Sequence, residues 1–497
     1  MLRPLLLTTA LALCLFQVPA RGAPIPFPQD ESDLKADPAI TFGTLPNGLR
    51  YVVMPNHEPK DRASLRLLVL AGSFEETESQ RGLAHYLEHM AFNGSAHYPN
   101  ATLMENLQRL GMGIGADTNA STSFDRTLYQ LDLPSAGGKT VGEGLQIIQD
   151  YCGSLALEQR MVDKERGIIL SEKRDRDSVA YRTWVSKFEF MEGTTLVPKR
   201  LPIGLSEVIE GAKRDQFVDF YNTWYRPELM VVIAVGDFDG PSVVKQITDM
   251  FSGLAPRAPE VKKPDLGPVA EFKGTRTFFH SEPEAPETEI EIAAVRPYSY
   301  VPDTSLKEIE DVRRDIAEEI VNRRLEILSK KEGAPFIHAS VASYEAFDLF
   351  HEAQIEVSCK PEHWKEAMGV ADQELRQALL FGFRPDEIKE AVADFRNNLE
   401  QAVKTAPTRR SDALADGLAQ NMLDRQVYTS PQNDLERFTP VLDKLTPSDC
   451  LVAFRGTWNS TARYVYVGGN LRLAGDTGAL VKDAYDRAEA VTVGATG

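Results

Sequence analysis

Gly82-Leu83-Ala84-His85-Tyr86-Leu87-Glu88-His89-Met90 places two imidazoles four residues apart with a carboxylate between them. If the segment is helical, each residue advances about 100° around the axis. Leu83, Tyr86, Leu87 and Met90 then fall on one side, and His85, Glu88, His89 and Phe92 on the other. One side is suited to packing and the other to chemistry. Residues i and i+4 stack on one helix surface, so His85 and His89 can reach a single metal ion and Glu88 a water beside it. The pattern reads as a catalytic zinc site with one ion per chain. The competing reading is a surface helix that carries two of the chain's eight histidines by chance.

A catalytic zinc site takes three protein ligands and leaves a fourth position open, so a carboxylate is expected from elsewhere. Leu157 to Asp175 is the best source. On a helix Met161, Glu165, Ile168 and Glu172 share one face. Two carboxylates then lie on a partly apolar stripe, where an unpaired buried charge is strongly unfavourable. A metal and its supporting groups would remove that conflict. The alternative is a solvated, charged helix like the Lys173-Arg174-Asp175-Arg176-Asp177 run that follows. Spacing alone leaves both open.

With these residues in place the chain resembles the pitrilysin/insulinase-like zinc metallopeptidase family, which carries the inverted motif H-x-x-E-H. In that family the motif is followed by a small-residue turn, here Met90 to Ser95. A later helix carries two glutamates seven residues apart, here Glu165 and Glu172, the second lying 83 residues beyond His89. The resemblance implies that Glu172 joins His85 and His89 as a zinc ligand, that Glu165 orients a ligand from behind, and that Glu88 is the general base. Gly115 to Tyr129 also looks like the family, in which an Asn-Ala pair on an exposed strand edge pairs with the substrate backbone. Asn119 and Ala120 are therefore substrate-binding candidates by resemblance. Read alone, they form a polar turn between strands.

Organisation along the chain follows from an internal repeat. Phe220-Tyr221-Asn222-Thr223-Trp224 and Phe454-Arg455-Gly456-Thr457-Trp458 share F-x-x-T-W at an offset of 234, and each precedes an apolar strand ending in glycine, Met230 to Gly236 and Tyr464 to Gly468. Two copies of one domain are expected. The reading is a signal peptide at 1–23, a Pro-rich segment at 24–40, a zinc-binding catalytic domain at 41–255, a linker at 256–268, and a second homologous domain without the zinc motif at 269–490. Pro46-Asn47-Gly48 predicts a hairpin between Thr41 to Leu45 and Leu49 to Met54, and Leu65 to Leu70 a further strand. Thr288 to Val295 and Ala339 to Ser343 read as strands, Leu306 to Leu328 and Asp386 to Ala402 as helices. The order predicts α+β domains, each a largely antiparallel sheet covered by helices. By resemblance, the two form one half of a clamshell. Advancing His85 by 234 lands on Glu319, so the second copy lacks the chemistry and forms the other wall of a cleft.

Composition narrows the function classes. With 497 residues, 42% hydrophobic and 26% charged, the chain can bury a core in each of two or more domains. A net charge of −18 argues against nucleic acid as a partner, since phosphate binding needs clustered Lys and Arg. Arg3, the apolar run Leu5 to Phe16 and the small-residue signal Val18-Pro19-Ala20 predict export, to the periplasm or beyond. No later stretch approaches the roughly 18 apolar residues of a membrane span. Cys152, Cys359 and Cys450 are too scattered for a disulfide framework, and Cys152, in line with Val141, Leu145 and Ile148, reads as a buried thiol.

These readings converge on a zinc-dependent endopeptidase acting on a peptide or unfolded polypeptide, with a non-catalytic peptide-binding or scaffold subunit of a two-chain complex as the alternative. Working members of the family enclose substrate between two halves. The resemblance covers one half, so a homodimer or a second chain supplying the other half is expected.

Overall fold

The computed structural model describes residues 25–99, 102–109, 111–113, 115 and 117–495, and the signal-peptide reading lies outside them. The first sheet contains β1 (Thr41–Thr44), β2 (Arg50–Pro55), β3 (Ala63–Val69), β4 (Thr118–Thr122), β5 (Thr127–Leu133) and β6 (Met230–Gly236), in the order β1-β2-β6-β3-β5-β4. The second contains β7 (Gly274–Ser281), β8 (Thr288–Pro297), β9 (His338–Ala346), β10 (Phe350–Cys359) and β11 (Ala462–Gly469), in the order β7-β11-β8-β10-β9. Apart from β1 the two are the same sheet. β7, β11, β8, β10 and β9 stand where β2, β6, β3, β5 and β4 stand, and in each sheet a single pair, β2–β6 or β7–β11, is parallel. The sheets are therefore mixed, with antiparallel pairs in the majority.

The hairpin expected at Pro46-Asn47-Gly48 joins β1 to β2, with Gly48 at positive φ. The helices expected in the second copy run Ser305–Ser329 and Pro385–Thr405. The fixed offset needs correction. Met230 and Tyr464 differ by 234, but their neighbours across the ladder, Val69 and Ala293, differ by 224. Glu319 is thus not the positional equivalent of His85, although the Ser305–Ser329 helix that replaces the histidine helix contains no histidine.

Both faces of each sheet are covered, which explains why Met230–Gly236 reads as an unbroken apolar run. On the first sheet, Leu65, Leu67, Tyr129 and Val232 pack in the main core with helices Leu83–Ala91 and Gly138–Gly153. The opposite face, with Val52, Leu68, Val231 and Ile233, packs on Leu414, Leu418 and Met422 of helix Ser411–Asp424, which comes from the second half of the chain. The exchange is reciprocal. Met191, at the end of helix Val179–Met191, joins Ala293, Val295, Tyr464 and Tyr466 of the second sheet. Buried Arg66 on β3 bridges Asp132 at 2.8 Å and Asp416 of the incoming helix at 2.7 Å. Each half thus completes the other, and the connecting segment 252–273, without helix or strand, is tied down by Arg257, which donates to Asn222 and to the carbonyls of Cys152, Tyr221 and Tyr225. Cys152, Cys359 and Cys450 are buried free thiols. Among the described residues no helix is long and apolar enough to cross a membrane.

Candidate metal centre

The motif forms helix Leu83–Ala91, and its entry is set by two glycines. Gly82 (φ 101°) precedes the helix, and Gly204 (φ 66°) lies against it; a Cβ on Gly204 would sit 2.2 Å from the Gly82 Cα and 2.5 Å from the Arg81 carbonyl. Glu76, fully buried, accepts from the N–H groups of Gly82 at 2.9 Å and Ala84 at 2.8 Å and so caps the helix from outside. Gly204→Ala is expected to destabilise the fold by about 2–4 kcal/mol, because a backbone clash adds to a left-handed φ. Thermal unfolding checks this, and an unchanged midpoint would refute the constraint.

Both sides of this helix are buried, not only the one facing the core: His85 is 3% exposed and Glu88 6%. The chemical side packs against helix Gln159–Arg176 and β4. Glu172 Oε1 lies 3.4 Å from His85 Nε2, and its Oε2 3.3 Å from His89 Nε2. One ligand atom from each of His85, His89 and Glu172 falls within 4.8 Å of the other two. Glu165, two helical turns earlier, lies behind them. Its Oε1 meets His89 Nδ1 at 3.0 Å, and its Oε2 accepts from Asn93 Nδ2 at 2.9 Å. The stripe expected on that helix holds only in part, since Met161 and Glu165 are buried but Ile168 is 49% exposed. The two glutamates are placed by the histidine helix, not by a continuous apolar face.

The electrostatics couple the carboxylates to the imidazoles and to Arg176, whose Nη2 meets Glu172 Oε1 at 2.5 Å. The imidazoles of His85 and His89 hold the Glu172 carboxyl well below the usual carboxylate range. Burial would lower His89, but Glu165 and Glu172 override it and raise the imidazolium to about 9. Burial raises Glu88, with His85 and the Thr122 hydroxyl opposing. Two imidazoles and a carboxylate around one point, with the far nitrogen of His89 already engaged, form a donor set that fits a tetrahedral zinc ion.

Asn119 and Ala120 lie on β4, the edge of the first sheet, so the polar-turn alternative is set aside. Asp117 O accepts from Asp132 N–H, and Arg126 O from Ser123 N–H. By alternation, Asn119 and Ser121 bond to β5 while Ala120 and Thr122 turn main-chain groups to the open edge. Asn119 Oδ1 accepts from the Ala120 N–H at 2.9 Å. The sequence reading missed Thr122, whose hydroxyl donates to Glu88 Oε2 at 2.6 Å. Its signal was period two: Thr122 shares the half-buried face of Ala120. A group of rings, Phe124, Trp184 and Phe188, continues beyond β4, with Trp184–Phe188 centroids 4.6 Å apart.

Residues 51–187 match the family model for insulinase, peptidase family M16, and residues 211–395 match that for the M16 inactive domain. Over 429 residues the chain is 28% identical to the probable zinc protease PqqL of Escherichia coli K12, covering 86% of this chain and 45% of that protein. It is 38% identical over 245 residues to the probable zinc protease PqqL of Haemophilus influenzae, covering 49% of this chain and 26% of that one. The chain thus spans about half the length, or less, of these curated relatives. Among solved structures, the first half of the periplasmic protease PqqL from E. coli aligns with a TM-score of 0.84 at 24% identity, covering 93% of this chain and 99% of that one. Against the full PqqL structure the cover is 51% of that chain.

Proposed function

The chain belongs to the insulinase peptidase family M16, and from that premise we propose that it is a zinc-dependent endopeptidase whose metal is held by His85, His89 and Glu172. The observation that carries the proposal is the convergence of these three donors beside the buried carboxylate of Glu88. When bound, zinc supplies Lewis-acid polarisation of a carbonyl and makes water more acidic. Glu88 takes a proton from the attacking water and hands it to the leaving amine. Burial suits it to both parts, because a raised pKa makes its protonated form accessible. Thr122 holds one Glu88 oxygen by hydrogen bond and leaves the second for the proton. Glu165 fixes the ring of His89 through Nδ1 and so turns Nε2 toward the metal.

Substrate binding is assigned to the β4 edge. An extended peptide adding to Ala120 and Thr122 by main-chain hydrogen bonds displaces the Asn119 side chain from the Ala120 N–H, a mode with weak sequence preference. The ring group at Phe124, Trp184 and Phe188 then favours apolar residues on one flank of the peptide. Export to the periplasm is proposed from residues 1–23 and is supported by the periplasmic description of the E. coli structural relative.

Cleavage of an unfolded polypeptide by the purified protein, abolished by a chelator and restored by zinc, is the expected result. Chelator-resistant cleavage, or none at any concentration, would overturn the reading. An open β4 edge is a surface that proteins normally cover, so pairing with a second copy or with a chain supplying the facing half is also proposed. Specific activity should rise with concentration as light scattering reports assembly. A strict monomer of constant specific activity, unchanged by any co-purifying protein, would rule out that pairing.

A further inference from the structure

The side of the first sheet away from the metal centre holds a second unexplained charge. Arg50, on β2, is 1% exposed. Its Nη1 reaches the Pro26 carbonyl only at 3.5 Å, and its Nε and Nη2 have no partner. The Phe27 ring lies 5.8 Å from the guanidinium carbon. Burial lowers its pKa to about 10, which leaves it charged at neutral pH. Among the described residues no carboxylate pairs with it. A buried guanidinium with donors unmet is strongly unfavourable.

Arg50 lines a cavity of about 630 Å³ between the two halves of the chain, a volume typical of small-molecule sites. None of His85, Glu88, His89 or Glu172 borders it. The other cations on its walls are neutralised by protein. Lys263 pairs with Glu75 at 3.1 Å, Lys307 with Asp311 at 2.7 Å, Arg314 with Asp311 at 2.8 Å, and Arg425 with Asp348. Leu70, Phe74, Leu266, Phe347 and Met422 supply an apolar lining. Asp125, Asp303 and Asp424 stand on the same walls and disfavour a multiply charged anion such as phosphate.

We propose that this cavity binds a small organic monocarboxylate with an apolar body, its carboxylate on Arg50 and its body among the apolar and aromatic side chains of both halves. The site joins β2 to residues 422–426, at the C-terminal end of the exchanged helix, so an occupant bridges the two halves.

Calorimetric titration of the purified chain with acetate, butyrate, 4-phenylbutyrate and the neutral 4-phenylbutyramide tests this. Phenylbutyrate should bind more tightly than butyrate or acetate, and its amide at least about tenfold more weakly, the scale of one charge-assisted hydrogen-bonded contact. Arg50→Met should weaken phenylbutyrate by a similar factor while leaving the amide unchanged. Because Arg50→Met alters a buried position, Val301→Trp, a substitution at a half-exposed wall residue, gives an independent arm. It should weaken phenylbutyrate by blocking space with Arg50 intact. Equal binding of acid and amide, binding insensitive to both substitutions, or no binding by any carboxylate would each overturn the proposal. Inorganic phosphate binding more tightly than phenylbutyrate would replace the monocarboxylate with a free-anion site and overturn it too.

Discussion

Glu88→Gln is expected to retain zinc at full stoichiometry while lowering kcat by about 10²–10⁴-fold, the range for loss of a positioned acid–base group. The amide has the same shape, and its oxygen can still accept from the Thr122 hydroxyl, so the pocket between helix Leu83–Ala91 and β4 is kept. What disappears is the ability to take and return a proton. Metal content measured alongside turnover separates the two effects. A variant that keeps near-normal turnover would remove Glu88 from the mechanism, and one that loses its zinc would make Glu88 a ligand.

Glu172→Ala and Glu165→Ala should differ in kind. Removing Glu172 takes away the carboxylate that meets both His85 and His89, and two imidazoles alone are not expected to hold zinc through dialysis. Activity should fall to background. Removing Glu165 frees His89 Nδ1 and Asn93 Nδ2 but leaves all three donors, so zinc affinity or activity should fall by about 10–100-fold and be recovered in part by excess zinc. Zinc stoichiometry after dialysis decides between them. The reverse order would mean that the roles of the two glutamates are exchanged.

The local parts of the site were legible because a helix repeats every 3.6 residues. His85, Glu88 and His89 had to share one side of any helix through Leu83–Ala91, and the glutamates seven residues apart had to share one side of theirs. The apolar run Met230–Gly236 and the F-x-x-T-W repeat likewise announced a strand and its copy, and the two sheets confirm a common strand order. The fixed offset failed across the helix because a repeat conserves strand order, not the number of residues between strands.

Only the tertiary structure decided which distant groups meet. No periodicity connects Thr122 to Glu88, Asn93 to Glu165, or Arg66 to Asp416. Each contact depends on how a strand edge, a loop or a helix from the other half is set down. The sequence by itself determined the chemistry available: two imidazoles and a carboxylate on one helix side, two more carboxylates on another, and apolar strands too long in their hydrophobic runs to leave a face uncovered. Folding decided that one face of each sheet is covered by a helix from the opposite half, that β4 is an open edge, and that Arg50 is buried without a carboxylate. Helical and strand periods are properties of consecutive residues, whereas burial and pairing depend on segments that lie from 34 to 350 residues apart in these three contacts.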